Sequence, residues 1–258
     1  MNFTKAAKGI ELWFRFHQII GKGDLLNEDS IKYPLVEYLI ADGDDSLKNI
    51  KLEDTHPIFT TREVDLISKD DKGNLYYVIE FKLASKFTMN SHERQRIFND
   101  IARLFYVNEK YNIDAYLIVA GKTVDFLSEF RSVIDKEAGK RGRKKKATDK
   151  PKLTLLNPSG FFSDKWLSFD LNNPEKIISL SGEINTAYSS HYANFKTTYL
   201  VDDQATLKLP NSIKTTLEYI TEIKEEDTSG NVPAMIGIWK VCTTKDDKVI
   251  EEKEKNAL

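Results

Sequence analysis

The chain reads as an α/β fold, a mixed β-sheet with helices packed on it, and three observations carry that reading. Apolar residues recur at helical spacing both before and after a pair of strand-like segments. Those two segments are joined by a polar turn. The run Ala115-Tyr116-Leu117-Ile118-Val119-Ala120 is apolar throughout, as a strand covered on both faces requires.

Residues 3–20 set Ala6, Ile10, Trp13, Phe14 and Ile20 close to helical spacing, and Gly21-Lys22-Gly23 ends the run. A second helix is expected over about residues 30–41. Ser30 would cap it and Pro34 would lie in its first turn, where backbone donors lack intrahelical partners. Residues 42–54 are polar, and Ile58-Phe59 reads as a short strand. Strands are expected over residues 63–68 and 75–83, joined by Lys69-Asp70-Asp71-Lys72-Gly73-Asn74. Residues 91–110 repeat Ile97, Ile101, Leu104 and Phe105 on one face of a helix that Ser91 can cap. A strand over 115–120 and a helix over 124–134 follow. The order over 30–120 is therefore helix, three strands, helix, strand.

Residues 1–138 form the expected core. In residues 139–152, GKRGRKKKATDKPK, eight of fourteen residues are Lys or Arg, the composition of an exposed loop or linker. Residues 153–258 hold short apolar runs between Asn, Ser, Pro and Gly. They extend the sheet or form a small subdomain, with substrate recognition or dimerisation as the expected role. The tail, 243–258, alternates charge signs and is expected to be solvated.

The 258 residues are 40% hydrophobic and 30% charged, a core-forming composition. No stretch approaches the roughly 20 apolar residues that span a bilayer. Glu11, Arg15 and His17 interrupt the N-terminal apolar residues, so no secretory signal is read there. Cys242 is the only cysteine, which excludes an internal disulfide. A cytoplasmic protein is expected. The formal net charge of −2 neither supports nor excludes nucleic-acid binding, because a local basic patch matters more than the total.

The informative stretch is REVDLISKDDKGNLYYVIEFKLAS, residues 62–85. In a hairpin centred on Lys72-Gly73, Asp65 faces Glu80 and Glu63 faces Lys82, and alternation points Glu80 and Lys82 the same way. The opposite face, Leu75, Tyr77, Ile79, Phe81 and Leu83, is apolar or aromatic and suits burial. Two opposed carboxylates at about 4 Å repel by on the order of 4 kcal/mol at an effective dielectric near 20. Lys82 offsets part of that, and a divalent cation with oxygen ligands offsets more. Such an ion polarises a phosphoryl oxygen and lowers the pKa of water. Lys82 could then position or deprotonate the attacking water, or stabilise charge on the phosphate as an ammonium. An ordinary polar hairpin face with surface ion pairs is the bland alternative.

Asp65, fourteen residues, then Glu80-Phe81-Lys82, within this order of elements, resembles the PD-(D/E)XK nuclease superfamily, which has the restriction-endonuclease-like fold. The resemblance covers about residues 30–120. One departure is Val64, where many members carry proline. The resemblance implies a Mg²⁺-dependent DNA endonuclease, with Mn²⁺ able to substitute, of the restriction or defence type in a bacterial or phage-encoded context. Asp65, Glu80 and the Phe81 carbonyl would bind metal, Lys82 would assist the water, and Glu37 on the preceding helix would support the metal, with Glu11 a weaker candidate. Gln95, Asp100 and Arg103 on the following helix would face the site or the substrate backbone. Ser85, Lys86 and Thr88, and the basic run with Arg141, Arg143, Lys144, Lys145 and Lys146, would meet phosphates, which makes binding salt-dependent. Double-stranded DNA and a homodimer are the expected partners. A junction resolvase, repair nuclease or RNase would share the cluster. A non-catalytic nucleic-acid-binding protein on this fold is the alternative of another class, and the intact Asp65, Glu80 and Lys82 argue against it. His17, His56, His92 and His191 show no metal-ligand spacing, and no role is assigned to His56.

Overall fold

The computed structural model describes residues 2–20, 27–41, 49–84, 91–123, 126, 166–180, 186–201, 207, 210–223 and 234–244. The expected helix over 124–134, the basic run at 139–152, Ser85, Lys86 and Thr88 lie wholly or almost wholly outside these residues, as does most of the tail. The capping side chain of Ser91 is also outside the description.

The elements are α1 (Phe3–Ile19), α2 (Asp29–Ala41), β1 (Ile50–Thr55), β2 (Glu63–Lys69), β3 (Leu75–Ala84), α3 (Ser91–Tyr111), β4 (Asp114–Lys122), β5 (Glu175–Ser179), α4 (Thr186–Tyr199), β6 (Ser212–Ile223) and β7 (Ala234–Cys242). The seven strands form one mixed sheet in the order β1-β2-β3-β4-β7-β6-β5. Only β3 and β4 run parallel, across the α3 crossover; the other neighbours are antiparallel. The α/β class and the helix, three strands, helix, strand order are as the sequence predicts.

The sheet is covered on both faces. On one, Ala6, Ile10, Phe14 and Leu35 of α1 and α2 pack with Tyr77, Ile79, Phe81, Ile118, Ile236 and Ile238. On the other, Ile101, Leu104 and Phe105 of α3 and Phe195 of α4 pack with Val78, Leu117, Val119 and Trp239. Strand β3 thus sends alternate residues to opposite cores. Residues from 166 onward join these same cores, and β7 pairs directly with β4, so the C-terminal region extends the sheet.

Three local expectations are corrected. The first strand is Ile50–Thr55, not Ile58-Phe59. Ile58 and Phe59 lie in a tight turn whose backbone N–H groups both donate to His56 Nδ1 at 3.1 Å. Ser30 does not cap α2. Asn27 does: its Oδ1 accepts from the Ser30 N–H at 3.1 Å, and Ser30 Oγ accepts from the Asn27 N–H at 3.0 Å, a reciprocal capping box. The helix therefore starts earlier, and Pro34 falls beyond its first turn, buried inside the helix.

Candidate functional site

The β2–β3 hairpin has the predicted register. Leu66 pairs with Ile79, Ile67 with Val78 and Ser68 with Tyr77, and a shift follows at Lys69. Asp70 organises the turn, with Oδ1 accepting from the Lys72 and Asn74 N–H groups at 2.9 and 2.8 Å. Gly73 sits at φ +84°, which glycine adopts without steric cost. The ladder reaches Leu66↔Ile79, and at the next position Asp65 bonds through its side chain: its Oδ2 accepts from the Phe81 N–H at 2.7 Å. This ties Asp65 to the Glu80-Phe81-Lys82 segment.

The expected Glu63–Lys82 contact does not form. The Glu63 carbonyl instead accepts from Arg103 Nη1 at 2.7 Å. Lys82 Nζ lies 3.3 Å from both Asp100 Oδ2 and Glu28 Oε1. Asp65 and Glu80 do gather at one end of the sheet, each with its own cation. Lys32 Nζ is 2.9 Å from Asp65 Oδ1 and 3.1 Å from Glu53 Oε1. Arg103 Nη2 bridges Glu80 Oε1 at 2.8 Å and Asp100 Oδ1 at 2.6 Å.

Burial makes these charges consequential. Glu80 is 2% exposed, and Lys32, Asp100 and Arg103 are buried. Removing one partner from such a network leaves a buried charge uncompensated, at about 3–5 kcal/mol. Burial raises the Glu80 carboxyl well above its ordinary range; Arg103 opposes the rise, and Asp100 and Asp65 add to it. Burial acts in the same sense on Asp65, but the Phe81 N–H and Lys32 prevail and hold its carboxyl below the ordinary value. Burial disfavours the Lys82 ammonium, yet Asp100, Glu28, Asp65 and Glu80 raise its pKa and keep it charged. Of the roles open to Lys82, this favours the ammonium.

Other expected site residues are placed differently. Glu37 is exposed beside Gly9, Leu12, Trp13 and Tyr38, in the groove between α1 and α2. The acidic residue that meets Lys82 from this part of the chain is Glu28, immediately before α2. Glu11 pairs with Lys8 and Arg15 on α1. Gln95 clamps α3 to α4. Its Nε2 donates to the His191 carbonyl at 2.9 Å, and its Oε1 lies 2.8 Å from His191 Nδ1. Asp100 and Arg103, expected to face the site or the substrate backbone, do face the site, with Arg103 buried between Glu80 and Asp100. Lys32 went unnoticed in the sequence. Its signal was a cation on the same helical face as Leu35, Val36 and Leu39, which are buried.

Among the described residues, no group of three or more His, Cys, Asp or Glu side chains converges to hold a metal. The donors at the cluster nevertheless suit a hard cation, because they are all oxygens. Glu80 Oε1 and Asp100 Oδ2 are buried without a well-aligned hydrogen bond, although each lies near a cation. Two carboxylates plus backbone, water or phosphate oxygens are a common way of holding Mg²⁺.

No protein-family model and no curated protein matches the chain.

Proposed function

We propose that this chain is a Mg²⁺-dependent nuclease that hydrolyses DNA phosphodiester bonds as a homodimer, of the cytoplasmic restriction or defence type. The observation that carries the reading is the 2.7 Å bond from the Phe81 N–H to Asp65 Oδ2. It fixes an aspartate beside a Glu-x-Lys strand, with Glu80 and Lys82 both turned toward α3. Asp65, Glu80 and the Phe81 carbonyl are the groups that would hold the metal. When bound, Mg²⁺ or Mn²⁺ supplies Lewis acidity toward a phosphoryl oxygen and lowers the pKa of water. Lys82, held as an ammonium by Asp100 and Glu28, orients the attacking water and stabilises charge on the phosphate. Arg103 keeps Glu80 in place. The exposed Leu12, Phe16 and Ile19 of α1 offer an apolar face to a second copy.

A second reading is a non-catalytic nucleic-acid-binding protein. It is favoured by the neutralisation of Asp65 by Lys32 and of Glu80 by Arg103. One experiment separates the two. Plasmid DNA, single-stranded DNA and RNA are incubated with the chain in Mg²⁺ or EDTA. The nuclease reading expects Mg²⁺-dependent cutting that falls by at least about 100-fold in Lys82→Ala and Asp65→Ala. Absence of cutting, or cutting that survives both substitutions and EDTA, rejects it. Cutting of RNA alone changes the substrate but keeps the site.

A further inference from the structure

We infer that Lys32 is an internal counter-ion of the site: it stands at the oxygen of Asp65 that is not engaged by the strand, and it leaves that oxygen when a divalent metal loads there. The inference rests on the nuclease reading above and assigns a positioning residue to it.

Three observations carry it. First, Asp65 has one oxygen committed to the fold, since Oδ2 accepts from the Phe81 N–H at 2.7 Å. The other, Oδ1, is 2.9 Å from Lys32 Nζ. Oδ1 is the Asp65 oxygen that the strand leaves unengaged, so a metal ligated there meets Lys32. Second, Lys32 is 5% exposed and lies on the apolar face of α2, so its ammonium is directed into the cluster. Three carboxylates converge on that nitrogen: Asp65 at 2.9 Å, Glu53 at 3.1 Å and Asp29 at 3.9 Å. Third, the chain provides a place for the displaced ammonium. Glu53 and Asp29 are both well exposed, so Lys32 can stay paired with them after giving up Asp65. Glu53 is held for this by its backbone. It has φ +50°, and the β1–β2 ladder skips the Glu53–Asp65 step, pairing Leu52 with Leu66 and then Asp54 with Val64.

A resident cation and an entering one that share an oxygen are linked, and each weakens the other's hold by the same factor. Removing the resident cation therefore tightens the metal. Without Lys32, Asp65 loses its nearest cation, and Arg103 and Lys82 alone offset the Asp65–Glu80 repulsion until metal binds.

The test measures binding of Mn²⁺ alone to the full chain, by electron paramagnetic resonance and calorimetry. Lys32→Met is expected to bind Mn²⁺ roughly tenfold more tightly than wild type. Lys32→Arg, which keeps the cation, stays close to wild type. Lys69→Met, which removes a cation paired with Asp54 on the same edge of the sheet, also leaves binding unchanged. In an Asp65→Asn background the Lys32→Met effect disappears. If Lys32→Met does not fold, acetylation of Lys32 in the wild-type chain, read by mass spectrometry, replaces it: saturating Mn²⁺ is expected to speed the reaction. Binding that is lost in Asp65→Asn but not tightened by Lys32→Met, or an acetylation rate that Mn²⁺ leaves unchanged or slows, overturns the inference and leaves the nuclease reading standing. No Mn²⁺ binding to any variant overturns both.

Discussion

At the residue scale, His56 shows how a side chain without an evident role acquires one. It is 1% exposed, and Nδ1 accepts two backbone N–H groups of the turn that leads into β2. Burial, with help from the Arg103 charge, lowers its pKa from 6.5 to about 3. The folded chain therefore binds the His56 proton less readily than the unfolded chain. The resulting stability is fully present above pH 6.5 and is lost as pH falls from there toward 3. In His56→Asn, an amide oxygen can accept the same donors without titrating. Urea unfolding across that window should give a flatter pH dependence for the variant than for wild type; equal slopes would refute the assignment. Among the site residues, Asp65, Glu80 and Lys82 were legible because their types and spacing are local to one hairpin. Asp100 and Arg103 were expected at the site only through the family resemblance, and Lys32 and Glu28 were not legible, because all four reach the cluster from other elements, and spacing along the chain carries no information about such contacts.

At the element scale, α2 matters for where it begins. The Asn27–Ser30 capping box places Glu28 immediately before α2, where its carboxylate favours the positive end of the helix and meets Lys82. Asn27→Ala should cost about 1 kcal/mol of stability, measured by denaturant unfolding. It should also reduce nuclease activity by loosening Glu28; a loss of stability with unchanged activity would show that the Glu28–Lys82 pair is dispensable. The sequence misplaced this start by taking Ser30 as the cap, since Asn and Ser are both good caps and both participate. It missed β1 for a different reason. An edge strand covered on one face buries few side chains, and in IKLEDT only Ile50 and Leu52 are apolar, so it reads as polar. The inner strands, β3 and β4, bury both faces and were read to within a few residues.

At the scale of the whole molecule, the sheet is continuous from the hairpin to the C-terminal strands. Strand β7 covers the edge of β4, and Trp239 fills the α3-side core, its Nε1 donating to the Ser168 carbonyl at 2.7 Å. A chain cut after residue 138 would leave β4 as a long apolar edge and strip both cores of β7. Such a fragment should aggregate or lack a cooperative unfolding transition, which circular dichroism on heating would reveal; a soluble, cooperative fragment would make the C-terminal region dispensable. The dimer in the proposed function belongs to this scale too. Leu12→Glu with Phe16→Glu on the exposed face of α1 should shift the sedimentation mass from dimer to monomer. A mass unaffected by the pair would move the interface elsewhere. No helix among the described residues is long and apolar enough to cross a membrane.

The amino-acid sequence by itself determined the α/β class, the helices α1, α2 and α3, the strands β2, β3 and β4, the hairpin register and the meeting of Asp65 with the Glu80-Phe81-Lys82 strand. These follow from period, turn chemistry and alternation, which act over a few residues. The tertiary structure decided how the cluster is neutralised. Lys32 from α2 takes Asp65, and Arg103 and Asp100 from α3 take Glu80 and Lys82. It also decided that the C-terminal strands complete the same sheet. Both depend on which elements stack and pair across the fold, where burial turns ordinary charges into obligatory partners.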